Sequence, residues 1–219
     1  MTSAARELLQ RVRTELAPDE EHNRLVPAIA AGTAPLKAIG ALATEELAIV
    51  PSDRRSFLTL AASASEPAAA AFFADLGKGE NIVLELLPAM AEAAGFDADT
   101  RSSYRRLAGC QAYPSYLAWL SLNADPAAAL LAVTANFAAW GTYCATLSAA
   151  LRSSYGFTEE ACGFVDFFAT PVPELEDQAV LAIQQALDAG KTLDAGLEYG
   201  RLLQDYELMF WNTLADSSL

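Results

Sequence analysis

Glu207 is the side chain of this sequence best suited to proton-transfer chemistry. It lies in segment 205–211, Asp-Tyr-Glu-Leu-Met-Phe-Trp, whose aromatic residues we expect to be buried. Burial disfavours the charged form of a carboxyl group and raises its pKa toward neutrality, which suits a general acid or base. The alternative interpretation is a carboxylate on a solvated helix face. We predict that Glu207 faces a pocket and is the catalytic residue of any reaction there.

Asn136 and Trp140 are one helical turn apart, so their side chains would share one face of a helix. An amide and an indole on the same face would hydrogen-bond to and stack on a flat heterocycle. Core packing, with the amide satisfied inside the protein, is the alternative. Tyr113 is a further candidate, which either faces the same pocket or is an ordinary half-buried aromatic. Phe168 belongs to a stripe of phenylalanines that we interpret as a wall.

The cysteine and histidine content argues against a metal site and against a disulfide framework. Cys110, Cys144 and Cys162 are odd in number and widely spaced, so we expect buried, unreactive thiols. Cys144 follows Asn136 by eight residues and would point roughly 80° away around the helix. His22 is the single histidine, which excludes a site built from several histidines. We predict no metal and no cofactor.

Composition predicts one all-α domain over residues 1–219. Hydrophobic residues make up 53% of the chain and charged residues 19%, with much alanine, as closely packed helices require. The net charge of -14 would repel a phosphate backbone, so we expect no nucleic-acid partner. No apolar run reaches the roughly 18 residues that span a bilayer, and the N-terminus is amphipathic. We therefore expect no membrane segment and a cytoplasmic location.

The helical periodicity predicts about twelve helical pieces, with ends at proline and glycine. Thr33, Asp125 and Thr158 are the expected caps of three of them. We expect a helix to end before Pro51, and a kink at Pro88. The predicted pieces are 2 or 3 to 16, 22–31, 33–50, 53–63, 66–76, 79–94, 99–108, 111–123, 126–153, one starting at 158, 174–189 and 192–215.

Three segments together resemble the TenA/THI-4/PqqC group, whose fold is that of haem oxygenase. Segment 205–211, with a glutamate three residues ahead of Phe-Trp, is similar to the closing motif of TenA-type proteins. Segment 112–117, Ala-Tyr-Pro-Ser-Tyr-Leu, resembles their aromatic segment, and 22–35 resembles their first two helices. The resemblance implies a haem oxygenase-like bundle with an internal pocket, and association of copies into a dimer or tetramer.

In members of the thiaminase II type, the resemblance implies hydrolysis of an aminopyrimidine by a cysteine, a glutamate, an aspartate and tyrosines. Glu207 matches the glutamate, and Tyr113 matches the first tyrosine. Glu45, or alternatively Glu46, stands where the aspartate is expected. Asn136 occupies the position of the cysteine, so the covalent route lacks its nucleophile.

The same resemblance places two more residues in the pocket and shows that one family tyrosine is missing. Trp140 stands in place of a family tyrosine, and Phe168 lies in the segment that covers the pocket. Ala48 replaces another tyrosine. The metal-carrying branch of the fold uses Glu-x-x-His, and the comparable step here runs from Glu80 to Val83, so that branch is disfavoured.

The leading hypothesis is a TenA-like protein that binds a small planar molecule, of the aminopyrimidine type, and hydrolyses it with Glu207 as acid and base. A non-catalytic binding or pathway-accessory protein is the alternative. Cofactor-free oxidation in the manner of PqqC ranks last, because the chain lacks the histidines and basic residues which that chemistry uses.

Overall fold

The computed structural model describes residues 4–17 and 22–217. Within these ranges the chain forms ten α-helices and no strand, so the predicted all-α class is confirmed. The helices are α1 (Ala4–Glu15), α2 (Leu25–Ala30), α3 (Leu36–Ser63), α4 (Pro67–Ala93), α5 (Ala98–Ser103), α6 (Ala108–Asn123), α7 (Pro126–Tyr155), α8 (Glu159–Ala169), α9 (Pro173–Asp188) and α10 (Ala195–Ser217).

Two predicted helix starts are confirmed by their cap geometry. Asp125 Oδ1 accepts a hydrogen bond from the backbone N–H of Ala127 at 2.9 Å, immediately ahead of Pro126 at the first position of α7. The hydroxyl of Thr158 accepts one from the N–H of Ala161 at 3.2 Å and starts α8. In both cases the side chain satisfies an amide that has no partner within the helix.

Pro51 lies inside α3, where the sequence predicted a helix end. A proline removes one backbone hydrogen bond and crowds the preceding turn. The helix nevertheless continues to Ser63, because side chains on both sides of the proline, including Val50 and Phe57, are buried in the core. The predicted end before Pro51 is therefore wrong.

The two predicted pieces 66–76 and 79–94 form one continuous helix, α4. Gly77 lies at the expected gap, and a Cβ built on it would come within 3.0 Å of Leu58 Cδ2 on α3. The missing side chain thus lets α3 and α4 approach each other, and the glycine is a packing position, not a break.

Thr33 does not cap α3 as predicted. Its hydroxyl donates a hydrogen bond to the carbonyl of Ala28 at 3.1 Å and closes the end of α2, while α3 begins after Pro35. The predicted helix 99–108 ends at Ser103, and residues 104–107 connect it to α6. The predicted start of the first helix near residue 2 and its stop at residue 18 lie outside the described residues.

α7 passes through both hydrophobic clusters of the core. Every residue from 126 to 136 on this helix is buried, so neighbouring helices surround its first half on all sides. Among the described residues, α7 is the one helix long and apolar enough to cross a membrane. In its most apolar stretch of 18 residues, 72% of the residues are buried inside the protein. Such burial is characteristic of a core helix. Asn136 lies at the end of the fully buried half.

Candidate functional site

A cavity of about 50 Å³ lies between α3, α4, α6, α7, α8 and α10. The structure brings five of the six predicted site residues to its wall. No lysine, arginine or histidine is among the lining side chains in the part of the chain that the structure describes. The lining residues are Glu46, Ile49, Val50, Asp53, Glu80, Tyr113, Asn136, Phe137, Trp140, Phe168, Glu207 and Phe210.

Glu207 lies on the inner face of α10 and is only 4% exposed. Asn136 donates its amide hydrogen to Oε2 of Glu207 at 2.5 Å, and the indole N–H of Trp211 donates to Oε1 at 3.1 Å. Burial raises the pKa of Glu207 to about 7, although these two hydrogen bonds favour the ionised form and limit the rise. A carboxyl group with this pKa can both release and take up a proton near neutral pH.

Asn136 connects Glu207 to a second polar side chain of the cavity. Its carbonyl oxygen accepts a hydrogen bond from the hydroxyl of Tyr113 at 3.2 Å, and its amide also donates to Oε1 of Gln204 at 3.2 Å. Burial and the nearby carboxyl groups raise the pKa of Tyr113 well above its ordinary value, so its hydroxyl stays protonated. A polar chain therefore runs from Tyr113 through Asn136 to Glu207.

Aromatic rings complete the lining of the cavity. Trp140 meets Phe168 edge to face, with ring centroids 5.9 Å apart, and stacks on Trp211 at 5.3 Å. Phe210 lies 6.4 Å from the ring of Trp140. These contacts hold the indole of Trp140 in place as a flat apolar surface, one helical turn from Asn136.

Three further carboxyl groups line the cavity, and the sequence did not reveal them as a group. Glu46 and Asp53 belong to the face of α3 that also carries Ile49 and Val50, and Glu80 faces them from α4. Burial raises the pKa of Glu46 and Asp53 well above their ordinary values, and repulsion from neighbouring carboxyl groups, Glu80 first, raises both pKa values further. Burial also raises the pKa of Glu80 to about 8. The seven-residue spacing of Glu46 and Asp53 was the available sequence signal.

Glu45 does not line the cavity, in contrast to the preferred alternative from sequence. Adjacent residues on a helix point about 100° apart, and here Glu46 takes the cavity side. Oε1 of Glu45 accepts hydrogen bonds from the hydroxyl of Tyr104 at 3.0 Å and the N–H of Leu107 at 2.6 Å. Oε2 accepts from the side-chain amide of Gln111 at 2.7 Å. Glu45 therefore fixes the link between α5 and α6.

A second cavity of about 280 Å³ is also lined by Glu207. Its rim includes the exposed residues His22, Arg201 and Asp205, so it faces solvent. Gln204 lies between the two cavities, where its amide also donates to the carbonyl of Leu16 at 3.3 Å.

The sequence profile of the TENA/THI-4/PQQC family matches residues 20–217 of the chain. The chain belongs to this family. The predicted membership is thus confirmed. The search of curated protein sequences found no match.

Solved structures similar to this TenA-family chain cover nearly its whole length. A TenA family transcription regulator from Silicibacter sp. TM1040 has a TM-score of 0.73 at 16% identity, over 94% of this chain and 96% of that one. A protein of Sulfolobus solfataricus described as a TenA-like thiaminase has a TM-score of 0.65 at 16% identity, over 100% and 98%. A domain of unknown function with a heme oxygenase-like fold from Shewanella denitrificans has a TM-score of 0.71 at 15% identity, over 99% and 92%. These matches confirm the haem oxygenase-like fold.

None of the three cysteines of this TenA-family chain, all of which lie in the described residues, lines the first cavity. Cys110 and Cys144 are buried, and burial together with nearby carboxyl groups raises the pKa of both thiols. Cys162 is a buried residue of α8, and burial also raises the pKa of its thiol. In the described residues, no group of three or more His, Cys, Asp and Glu side chains has the arrangement needed to hold a metal ion.

Proposed function

We propose that this TenA-family protein binds a small, planar, amino-substituted heterocycle of the aminopyrimidine type and hydrolyses it, with Glu207 as general acid and base. The observation that carries the proposal is that the hydrogen-bonded pair of Glu207 and Asn136 lines the same cavity as the indole of Trp140. A carboxylate and an amide supply the acceptors that an amino-substituted ring requires, and the indole supplies a stacking surface.

Hydrolysis at this site would use water as the nucleophile, because no thiol lines the cavity. Glu207 in its ionised form would take a proton from the water as its oxygen bonds to carbon. The same carboxyl group would then give the proton to the nitrogen that leaves as the carbon–nitrogen bond breaks. The pKa of about 7 supports this cycle, because both forms of Glu207 are populated near neutral pH.

A second candidate function is binding without turnover. Both oxygens of Glu207 already accept hydrogen bonds from the protein, and Asn136 occupies the position where the family resemblance implies the cysteine. An amide at that position binds a ligand but does not attack it. This candidate is favoured if a ligand stabilises the protein and is not consumed.

Thermal unfolding with thiamin and 4-aminopyrimidines, followed by assay of each stabilising compound, tests the proposal. We expect a raised unfolding midpoint, consumption of the ligand, and a loss of turnover of at least about 100-fold in Glu207→Gln. Glu85→Gln is the matched control, because Glu85 is an exposed carboxylate on α4 outside the cavity. Turnover that survives in Glu207→Gln would contradict the catalytic assignment.

We further propose that the protein forms a homo-oligomer, a dimer or a tetramer, as the family resemblance implies. We also propose that it is located in the cytoplasm. Light scattering of the purified protein measures the number of subunits directly.

A further inference from the structure

Three of the four carboxyl groups that line the first cavity have no hydrogen-bond or ion-pair partner among the described residues. Glu46, Asp53 and Glu80 are 6%, 7% and 8% exposed, yet none of them makes a hydrogen bond or ion pair with the described part of the chain. Oδ1 of Asp53 in particular is fully buried and unpartnered. Buried polar groups are normally satisfied, because desolvation without a partner is costly. Their arrangement around a cavity indicates a partner that comes from outside the protein.

The carboxyl groups are spread along the cavity. Glu46 and Asp53 are seven residues apart on α3, which places them about 10 Å apart along the helix axis. Glu46 interacts electrostatically with both Glu207 and Glu80, whereas Asp53 interacts with Glu80 and Glu46. We call the part of the cavity that Asp53 and Glu80 line, two helical turns from Glu46, the Asp53–Glu80 end.

We propose that the Asp53–Glu80 end is a cation subsite, which binds a protonated amino group on an arm of the ligand, apart from the ring that stacks on Trp140. The inference rests on the proposed function for the position of the ring, whereas the subsite is defined by Asp53 and Glu80 alone. An ammonium group has three donors and no acceptor, so it matches an unpartnered carboxylate oxygen.

The residues around this subsite favour an organic ammonium group over a metal ion or an arginine of the protein as the partner of Asp53 and Glu80. No metal-binding arrangement is present in the described residues, which leaves the carboxyl groups without a metal partner. Arg55 lowers the pKa of Asp53, but it is the smallest of the causes acting on that group, and its side chain lies on the exposed face of α3. A cation between Asp53 and Glu80 would relieve the repulsion that raises the pKa of Asp53.

Isothermal titration calorimetry with matched ligands tests the subsite. The probes are 4-aminopyrimidine carrying a 3-aminopropyl arm, the same ring carrying a neutral 3-hydroxypropyl arm, and ring-free 1,5-diaminopentane. We expect the aminopropyl compound to bind about tenfold or more tightly than the hydroxypropyl compound, since a hydrogen bond to a charged group is strengthened. This preference should disappear in Asp53→Asn and in Glu80→Gln, and persist in the exposed control Glu85→Gln.

The outcomes separate the subsite from the proposed function. Equal affinity for the two ring compounds in the wild-type protein overturns the subsite and leaves the ring site standing. If neither ring compound binds but 1,5-diaminopentane does, with loss in Asp53→Asn, the subsite stands and the proposed function fails. If none of the three binds, both fail. Two independent variants are used so that a folding defect in one does not decide the result.

Discussion

The buried carboxyl groups make the stability of the protein depend on pH. Burial raises the pKa of Glu80 to about 8 and that of Glu207 to about 7, whereas both are near 4.5 in an unfolded chain. The folded state therefore binds more protons than the unfolded state between these values. The stability that these groups contribute is fully present below about pH 4.5 and is lost as the pH rises through the folded-state pKa.

We predict that Glu80→Gln flattens the fall of stability between pH 5 and pH 8. In the wild-type protein, ionisation of Glu80 lowers the free energy of unfolding by on the order of 1 kcal/mol per pH unit over this range. Because the amide cannot ionise, the variant lacks this fall. Urea unfolding at four pH values measures the slope. Glu85→Gln, on the exposed face of the same helix, should keep the wild-type slope, and equal slopes in both variants would contradict the prediction.

The position of some site residues at the cavity could be predicted from the sequence, and that of others could not. The position of Glu207 at the cavity was predictable, because Phe210 and Trp211 follow it at helical spacing and were expected to be buried. The choice between Glu45 and Glu46 was not, since every residue from 38 to 46 on α3 is buried and no exposed face orients the helix. The convergence of Asp53 and Glu80 depends on how α3 packs on α4, which periodicity alone does not give.

At the scale of elements, the approach of α3 to the segment before α5 depends on Gly40. A Cβ built on this residue would lie 2.1 Å from the Phe96 ring, closer than any packed atoms allow. The ring of Phe96 therefore rests directly on the backbone of α3. Side chains larger than hydrogen at residue 40 would push this ring away from the helix.

We predict that Gly40→Ala destabilises the protein by about 1–3 kcal/mol, because overpacking outweighs the better helix propensity of alanine. Gly79→Ala on α4 is the control, since its Cβ would meet Phe167 at an ordinary 3.6 Å. That variant should be neutral or more stable by up to about 1 kcal/mol. Chemical denaturation measures both changes, and a neutral Gly40→Ala would show that Phe96 moves aside easily.

Helix starts followed local chemistry where a capping side chain was present, but helices continued through predicted breaks where the flanking residues are buried. Asp125 and Thr158 bind backbone amides within three residues, so sequence alone located those starts. Pro51 and Gly77 are helix breakers by propensity, but the core on either side of them keeps α3 and α4 continuous. The energy of that packing comes from residues far away in the sequence.

At the scale of the whole molecule, the net charge of -14 and a pI near 4.4 give the protein a negative field. We predict no measurable binding to duplex DNA at about 0.1 M salt, because the phosphate backbone is repelled and no counterions are released. Fluorescence anisotropy with a labelled duplex tests this. Saturable binding that weakens linearly with the logarithm of salt concentration would contradict it.

Glu207 lines both the first cavity and the solvent-facing second cavity. A molecule stacked on Trp140 would therefore leave Glu207 in contact with the second cavity. Proton exchange with solvent then requires no departure of the bound molecule. Recharging the acid and emptying the site would then be two events with separate rates, one through each cavity.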